Sequence, residues 1–321
     1  MKDQELKVCE FNVENLFISL DYYNGQDLEQ MSGQQWKELA LAQLQRMQKP
    51  LHKLWGLSKA ILDIDPDVLM LIEVGGKESL DHFNRYFLDN QFTTFFIEGN
   101  SKRNIDLGFL VKKDLPFRVE AHSNKETPIE VHTYQGKYTT RFSRDVAELR
   151  IYDGDELKLI LLLTHLKSKI STEQDFKGKD VRMAEAVALV GIYTNLRNQF
   201  PHIPIILGGD FNTHLSSLEL ELLKRTDLID FHDQLGTPVE ERVSLIHFDY
   251  AGNPHSQVLD YLLVSPHLID RIVASDSYTY RYKGFYDIPE ELPKTLSDRY
   301  KMPSDHYPLV LTVHMETPKG F

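Results

Sequence analysis

Leu157-Lys158-Leu159-Ile160-Leu161-Leu162-Leu163-Thr164-His165 is aliphatic at six of its first seven positions and then turns polar. A run that is apolar on both alternating faces reads as a strand covered on both sides, as in an α/β sheet. Downstream, Val181–Leu196 carries Met183, Ala184, Val187, Ala188, Val190, Gly191 and Ile192 at helical spacing. Ile203–Leu207, Val258–Val264 and Leu309–Val313 read as further strands. Upstream, Val146–Ile151, Phe117–Ala121, Leu107–Val111, Phe92–Ile97, Val68–Ile72 and Leu6–Phe11 read likewise. A helix is predicted at about 79–89. A longer helical stretch at about 35–63 contains Leu39, Leu41, Leu44, Leu51, Leu54, Leu57 and Ile61, and Pro50 breaks or kinks it. The alternation runs through all 321 residues without a linker, a repeat or a shift in composition. That predicts one α/β domain, residues 1–321.

Each apolar run ends in residues that can do chemistry. Leu6–Phe11 is followed by Asn12 and Glu14, and Val68–Ile72 by Glu73. Leu157–Leu163 leads to Thr164-His165, and Ile203–Leu207 to Gly208-Gly209-Asp210 with Asn212 beyond. Asp260 interrupts an apolar run, and Asp305-His306 precedes the last strand. Ligands of α/β proteins bind beyond the carboxyl ends of strands, so these side chains are expected to converge. The residue types suit phosphoryl transfer. Glu73 with Glu14 or Asp305 would hold a magnesium ion, which takes one or two carboxylates and keeps its waters. Asp210 can align or deprotonate a water, Asn212 and Asn12 offer amide donors, and His306 can stabilise phosphoryl oxygens or act as an acid. His165 is a second imidazole facing the phosphate. A buried Asp260 needs a partner, and His306 is the candidate. Gly208-Gly209 is expected to let the chain turn tightly before Asp210.

Composition bounds the partners. With 41% hydrophobic residues there is enough apolar material for a large core. The only cysteine, Cys9, rules out an intrachain disulfide and fits a reducing compartment. The start, Met1-Lys2-Asp3-Gln4-Glu5-Leu6, has no signal-peptide pattern, and no segment is long and apolar enough to cross a bilayer. A cytoplasmic protein with no membrane insertion is expected, or a secreted one if a leader has been trimmed. A net charge of -12 argues against broad wrapping of duplex nucleic acid, though not against a nuclease with a local basic strip. Lys169, Lys177 and Lys179, downstream of Lys167, supply such a strip or a solvated loop. The other histidines, such as His122, His132, His247 and His255, lack zinc-ligand spacing. Tyr278-Thr279-Tyr280-Arg281-Tyr282 alternates as a half-exposed strand does, and its rings could also stack on a substrate.

Six motifs then carry a resemblance: Asn12-Val13-Glu14-Asn15-Leu16-Phe17, Ile72-Glu73-Val74, Thr164-His165-Leu166-Lys167-Ser168, Gly208-Gly209-Asp210-Phe211-Asn212, Leu259-Asp260-Tyr261 and Ser304-Asp305-His306-Tyr307-Pro308-Leu309. Together, and in this order, they resemble the endonuclease/exonuclease/phosphatase superfamily. The opening motif and His165-Leu166-Lys167-Ser168 are similar to a bacterial branch of it. The resemblance implies a four-layer α/β sandwich of two mixed sheets packed face to face and flanked by helices. It implies a Mg²⁺ (or Mn²⁺) site around Glu73, with Asn12, Glu14 and Asp305 near it. It puts Asp210 and Asn212 at the nucleophile, an Asp260–His306 pairing at the phosphate, and Arg144 against the scissile phosphate. The abasic-endonuclease branch has a tyrosine-containing segment where this chain has His165-Leu166-Lys167-Ser168, and the inositol phosphatase signatures are absent.

The expected activity is a metal-dependent phosphodiesterase acting on nucleic acid through a metal-activated water. Its expected catalytic residues are His165, Asp210, Asn212, Asp260 and His306. Asn12, Arg144 and Lys167 bind substrate, and Glu14, Glu73 and Asp305 hold the metal. The alternatives are a phosphatase or phospholipase C-type hydrolase of a small or lipid phosphoester, and a non-catalytic binding module on the same scaffold.

Overall fold

Two six-stranded mixed sheets dominate the computed structural model, which describes residues 5–18, 30–35, 37, 48–169, 175–284 and 286–316. The first contains β1 (Glu5–Leu16), β2 (Val68–Val74), β3 (Phe92–Ile97), β4 (Asp106–Lys112), β15 (Tyr278–Thr279) and β16 (Leu309–His314), in the order β15-β16-β1-β2-β4-β3. The second contains β5 (Arg118–Ser123), β8 (Val146–Asp153), β9 (Glu156–His165), β10 (Ile205–Asp210), β11 (Ile229–Asp230) and β14 (Asp260–Val264), in the order β11-β14-β10-β9-β8-β5. Each sheet has one parallel pair at its centre, β1 with β2 and β9 with β10, flanked by antiparallel strands. Two hairpins stand outside the sheets: β6 (Ile129–Thr133) with β7 (Gly136–Thr140), and β12 (Leu245–Phe248) with β13 (Pro254–Gln257).

Alternation along the strands explains the layers. Leu6 and Val8 of β1, Val68, Met70 and Ile72 of β2, and Leu309, Leu311 and Val313 of β16 meet Leu159, Leu161, Leu163, Ile206, Leu262 and Val264 from the other sheet. The residues between them face outward. Cys9, Phe11, Leu69 and Leu71 pack under helices α1 (Leu51–Ile64) and α2 (Lys77–Phe87). Ile160, Leu162, Ile205 and Leu207 pack under α3 (Lys179–Gln199). The result is the four-layer sandwich, and both faces of Leu157–Leu163 are covered as its composition requires.

Agreements with the sequence reading and differences from it have physical causes. Pro50 does break the helical stretch as expected: it is the residue before α1, where its missing N–H costs nothing. Leu39, Leu41 and Leu44 lie outside the described residues. Tyr278–Tyr282 forms only two residues of strand, and Tyr280 and Tyr282 are buried in the core beneath α1. Residues 170–174 of the basic stretch are outside the described residues.

Gly208 and Gly209 make no turn. Both lie inside β10, paired with Leu262 and Tyr261 on one side and Leu163 and Thr164 on the other. Close approach is what they permit: a Cβ on Gly209, whose φ is +153°, would sit 2.1 Å from the Thr164 carbonyl oxygen. Gly209→Ala is therefore expected to cost about 3 kcal/mol or more, read by chemical denaturation. Gly191→Ala, where the added methyl meets nothing within 4 Å, should stabilise α3 by up to about 1 kcal/mol. Equal stability of the two variants would refute this account of Gly209.

Candidate active site

The alternation that builds the inter-sheet core also builds the site, because the next inward positions along the same strands are polar. On β1 the inward series Leu6, Val8 continues to Glu10 and Asn12. On β9 it ends at His165, on β10 at Asp210, and on β14 it begins at Asp260. Register sets three of these side by side, since Asp210 is directly opposite both His165 and Asp260. The opposite sheet supplies Asn12, Glu73 and, just ahead of β16, Asp305-His306. Asn12, His165, Asp210, Asp260 and His306 thus lie at one end of the seam, while the Thr164 hydroxyl turns away to the Asp145 carbonyl.

Asp210 is the hub. It accepts from the Asn212 backbone N–H at 2.8 Å, from Asn12 Nδ2 at 3.2 Å and from Asn212 Nδ2 at 3.3 Å, and His165 Nε2 lies 3.6 Å from it. Burial, and then the neighbouring Asp260, push its carboxyl up to about 7 despite these donors and His306. His306 Nδ1 and Asp260 Oδ2 are 2.8 Å apart. Burial works against the imidazolium, but Asp260, then Asp305 and Asp210, outweigh it and hold His306 well above its ordinary value. His165 goes the other way, pushed well down by burial and by Arg144, so one imidazole is charged and the other neutral. The fold of the turn is fixed by Ser304, whose hydroxyl donates to the Asn12 carbonyl at 2.7 Å and accepts from the His306 N–H at 3.2 Å.

The carboxylates suited to a hard cation lie beside this cluster. Glu73, at a positive φ of 66°, accepts the Asn15 N–H at 3.0 Å, and its carboxyl is raised by burial and by Asp305. Asp305 binds Arg299 at 2.5 Å. Burial would raise its carboxyl, but His306 and Arg299 bring the net shift down. A carboxylate pair in which Asp305 opposes the charge of Glu73 fits a divalent cation. Asp210, Asp260 and His306 also present ligand-capable atoms within 4.8 Å of one another and could hold an ion. Glu14, expected in the metal set, is instead engaged by Lys53 at 2.6 Å and Lys49 at 3.5 Å.

The Endonuclease/Exonuclease/phosphatase family model matches residues 46–306. The chain belongs to this family. A search of curated protein sequences finds no match. Among solved structures, truncated TDP2 of Caenorhabditis elegans is similar at a TM-score of 0.58 and 17% identity, covering 97% of this chain and 98% of that one. The human nocturnin catalytic domain with bound sulfate gives 0.56 and 18%, covering 96% and 92%. A mannosyl-6-phosphatase of Bacteroides thetaiotaomicron gives 0.54 and 14%, covering 95% and 98%. At such identities these structures support the fold. Family membership supports phosphoester hydrolysis as the class of activity.

For an endonuclease/exonuclease/phosphatase family member the remaining polar residues fall into place around one loop bracket. Glu185, fully buried on α3, accepts the Ser143 and Lys167 N–H groups at 2.6 Å each. It thereby fixes the loops that carry Arg144 and Lys167. Arg144 is only 5% exposed, and among the described residues no acceptor hydrogen-bonds its guanidinium. Arg103 donates at 2.9 Å to the Oδ1 of Asn15, the residue whose N–H Glu73 accepts. Sequence reading missed Glu10, Arg103, Glu185 and Arg299. The signal for Glu10 and Glu185 was there: a carboxylate in an otherwise apolar strand or helix face. Glu10 is fully buried, neither of its oxygens has a hydrogen-bond partner among the described residues, and burial, then Asp260, raise its carboxyl well above the usual range.

Proposed function

We propose that this chain hydrolyses a phosphoester by in-line attack of a water at phosphorus, with Asp210 as the aligning base. The observation that carries this is the row His165–Asp210–Asp260 facing His306 across the seam. Asp210, near 7, is poised to take the water's proton at neutral pH. Asn212 and Asn12 orient its carboxylate. His306, charged and fixed by Asp260, offers Nε2–H to the phosphoryl oxygens, and Arg144 supplies a second cationic donor where charge develops. His165, neutral, adds a hydrogen bond without adding charge. Glu73 and Asp305 would hold Mg²⁺ or Mn²⁺, which when bound polarises the phosphoryl group and offsets its charge.

The substrate expected from sequence is a nucleic-acid phosphodiester. The cavity beside Arg144, about 560 Å³, is of the size that takes a small molecule, and together with the net charge of -12 it favours the small-phosphoester reading. Bis-p-nitrophenyl phosphate is expected to be hydrolysed with Mg²⁺ or Mn²⁺, to stop reacting in EDTA, and to recover when metal is restored. Activity that survives EDTA would sink the metal-dependent reading. Plasmid, single-stranded and abasic-site DNA and RNA, run in parallel, separate the two substrate classes.

A further inference from the structure

The cavity beside the site concentrates positive charge in a chain that is otherwise acidic. Lys102, Arg103, Arg141, Arg144 and Lys167 line it, and no aspartate or glutamate is among the described residues that line it. Only Arg144, 5% exposed, is required by the reaction at phosphorus. The others exceed what one phosphodiester, with a single negative charge, can use. Their existing partners are weak competitors for a ligand. Arg141 meets Glu126 at 2.9 Å with both side chains more than half exposed, a pairing worth little in water. Arg103 gives one nitrogen to a neutral amide. Guanidinium groups bind phosphate oxygens in pairs, so the set suits a phosphate better than a single carboxylate. Tyr138 adds an aromatic ring to the lining.

We propose that this cavity is a subsite for a second phosphate group of the substrate, so that the enzyme acts on a small molecule bearing two phosphates, one cleaved at Asp210 and one held by Lys102, Arg103 and Arg141. The assignment rests on the phosphoesterase reading above, and a cavity of about 560 Å³ suits a compact substrate.

Calorimetric binding in Mg²⁺, measured in the Asp210→Asn background where turnover is suppressed, tests the subsite with two probe pairs. Glucose 1,6-bisphosphate is compared with glucose 6-phosphate, and thymidine 3′,5′-bisphosphate with thymidine 5′-monophosphate. In at least one pair the second phosphate should tighten binding tenfold or more. Lys102→Gln/Arg141→Gln should reduce that advantage to within twofold, while hydrolysis of bis-p-nitrophenyl phosphate by the double variant with Asp210 intact stays unchanged. An advantage below twofold in both pairs, or one that survives in the double variant, overturns the subsite. A DNA hexanucleotide bound more than tenfold tighter than either bisphosphate overturns the compact substrate. Failure to hydrolyse bis-p-nitrophenyl phosphate would instead count against the phosphoesterase reading, and the binding ratios would still decide the subsite.

Discussion

Asp210→Asn should lower kcat by about 10³-fold or more at saturating substrate and metal, within the usual range for removing a general base. The wild-type rate should rise with pH through about 7, where the carboxyl loses its proton, and that limb should vanish in the variant. Stability should move the opposite way. A carboxyl raised in the folded state stabilises the protein fully below its unfolded value near 4, and this is lost as pH rises through about 7. Asparagine carries no such charge, so the stability of the metal-free variant relative to wild type should improve from pH 4 to pH 7 by up to about 4 kcal/mol, then level off. A constant offset of about 1–3 kcal/mol against the variant is expected, because its amide N–H₂ must face one of the donors that Asp210 now accepts. Chemical denaturation at four or five pH values reads the slope separately from the offset. A slope of zero would mean that Asp210 is ionised at ordinary acidic pH and is not a poised base. A retained kcat would remove it from the chemistry altogether.

How far the sequence carried this site follows from period and register. In a strand the side chains alternate, so a polar residue two places beyond an inward apolar one must face the same seam. Asn12, His165, Asp210 and Asp260 obey that rule, and their meeting could be anticipated from where the apolar runs stop. Glu10 obeys it too, but it lies inside the run and not at its end, so attention to strand ends passed over it. Arg103 and Arg299 come from a loop and a short helix with no periodicity to place them, and what they reach is decided by tertiary contacts alone. Glu14 illustrates the reverse case. Its position after a strand suggested a metal ligand, yet the positive φ at Glu14 and Asn15 turns the chain there, and Lys49 and Lys53 take its carboxylate. Lys49 comes from just before α1, where sequence reading saw only a proline break.

The glycines show the same limit at finer scale. A Gly-Gly pair ahead of a catalytic-type aspartate suggests a turn, because turns are the commonest need for a free backbone. In this fold the need is a close approach within a sheet, where β10 must pass the Thr164 carbonyl and bring Asp210 level with His165 and Asp260. Gly208 does a related job toward the other sheet, with the Glu10 side chain and Met70 against its open side. The geometry that places the aspartate is thus the same one that leaves Glu10 buried, and neither is visible without the second sheet.

The Asp260–His306 pair should produce the other large effect. His306→Gln removes the charged donor, and Asp260→Asn removes the carboxylate that keeps the imidazole charged, so each should cost about 10²- to 10⁴-fold in kcat. They differ in pH dependence. Because His306 is held well above its ordinary value of 6.5, wild-type activity should persist well into alkaline pH. Asp260→Asn should bring the alkaline limb down toward neutrality, whereas His306→Gln should abolish it. The sign for stability is also set: a histidine raised in the folded state stabilises fully below about 6.5, and this is lost as pH rises through the folded value. Breaking a buried pair by removing one partner costs about 3–5 kcal/mol, so each single variant should be destabilised at pH 6. The double variant Asp260→Asn/His306→Gln should be no less stable than the worse single one, since no unpaired charge remains. Additive losses in stability across that cycle would show the two side chains acting independently, and the pairing would then have no part in holding His306 charged.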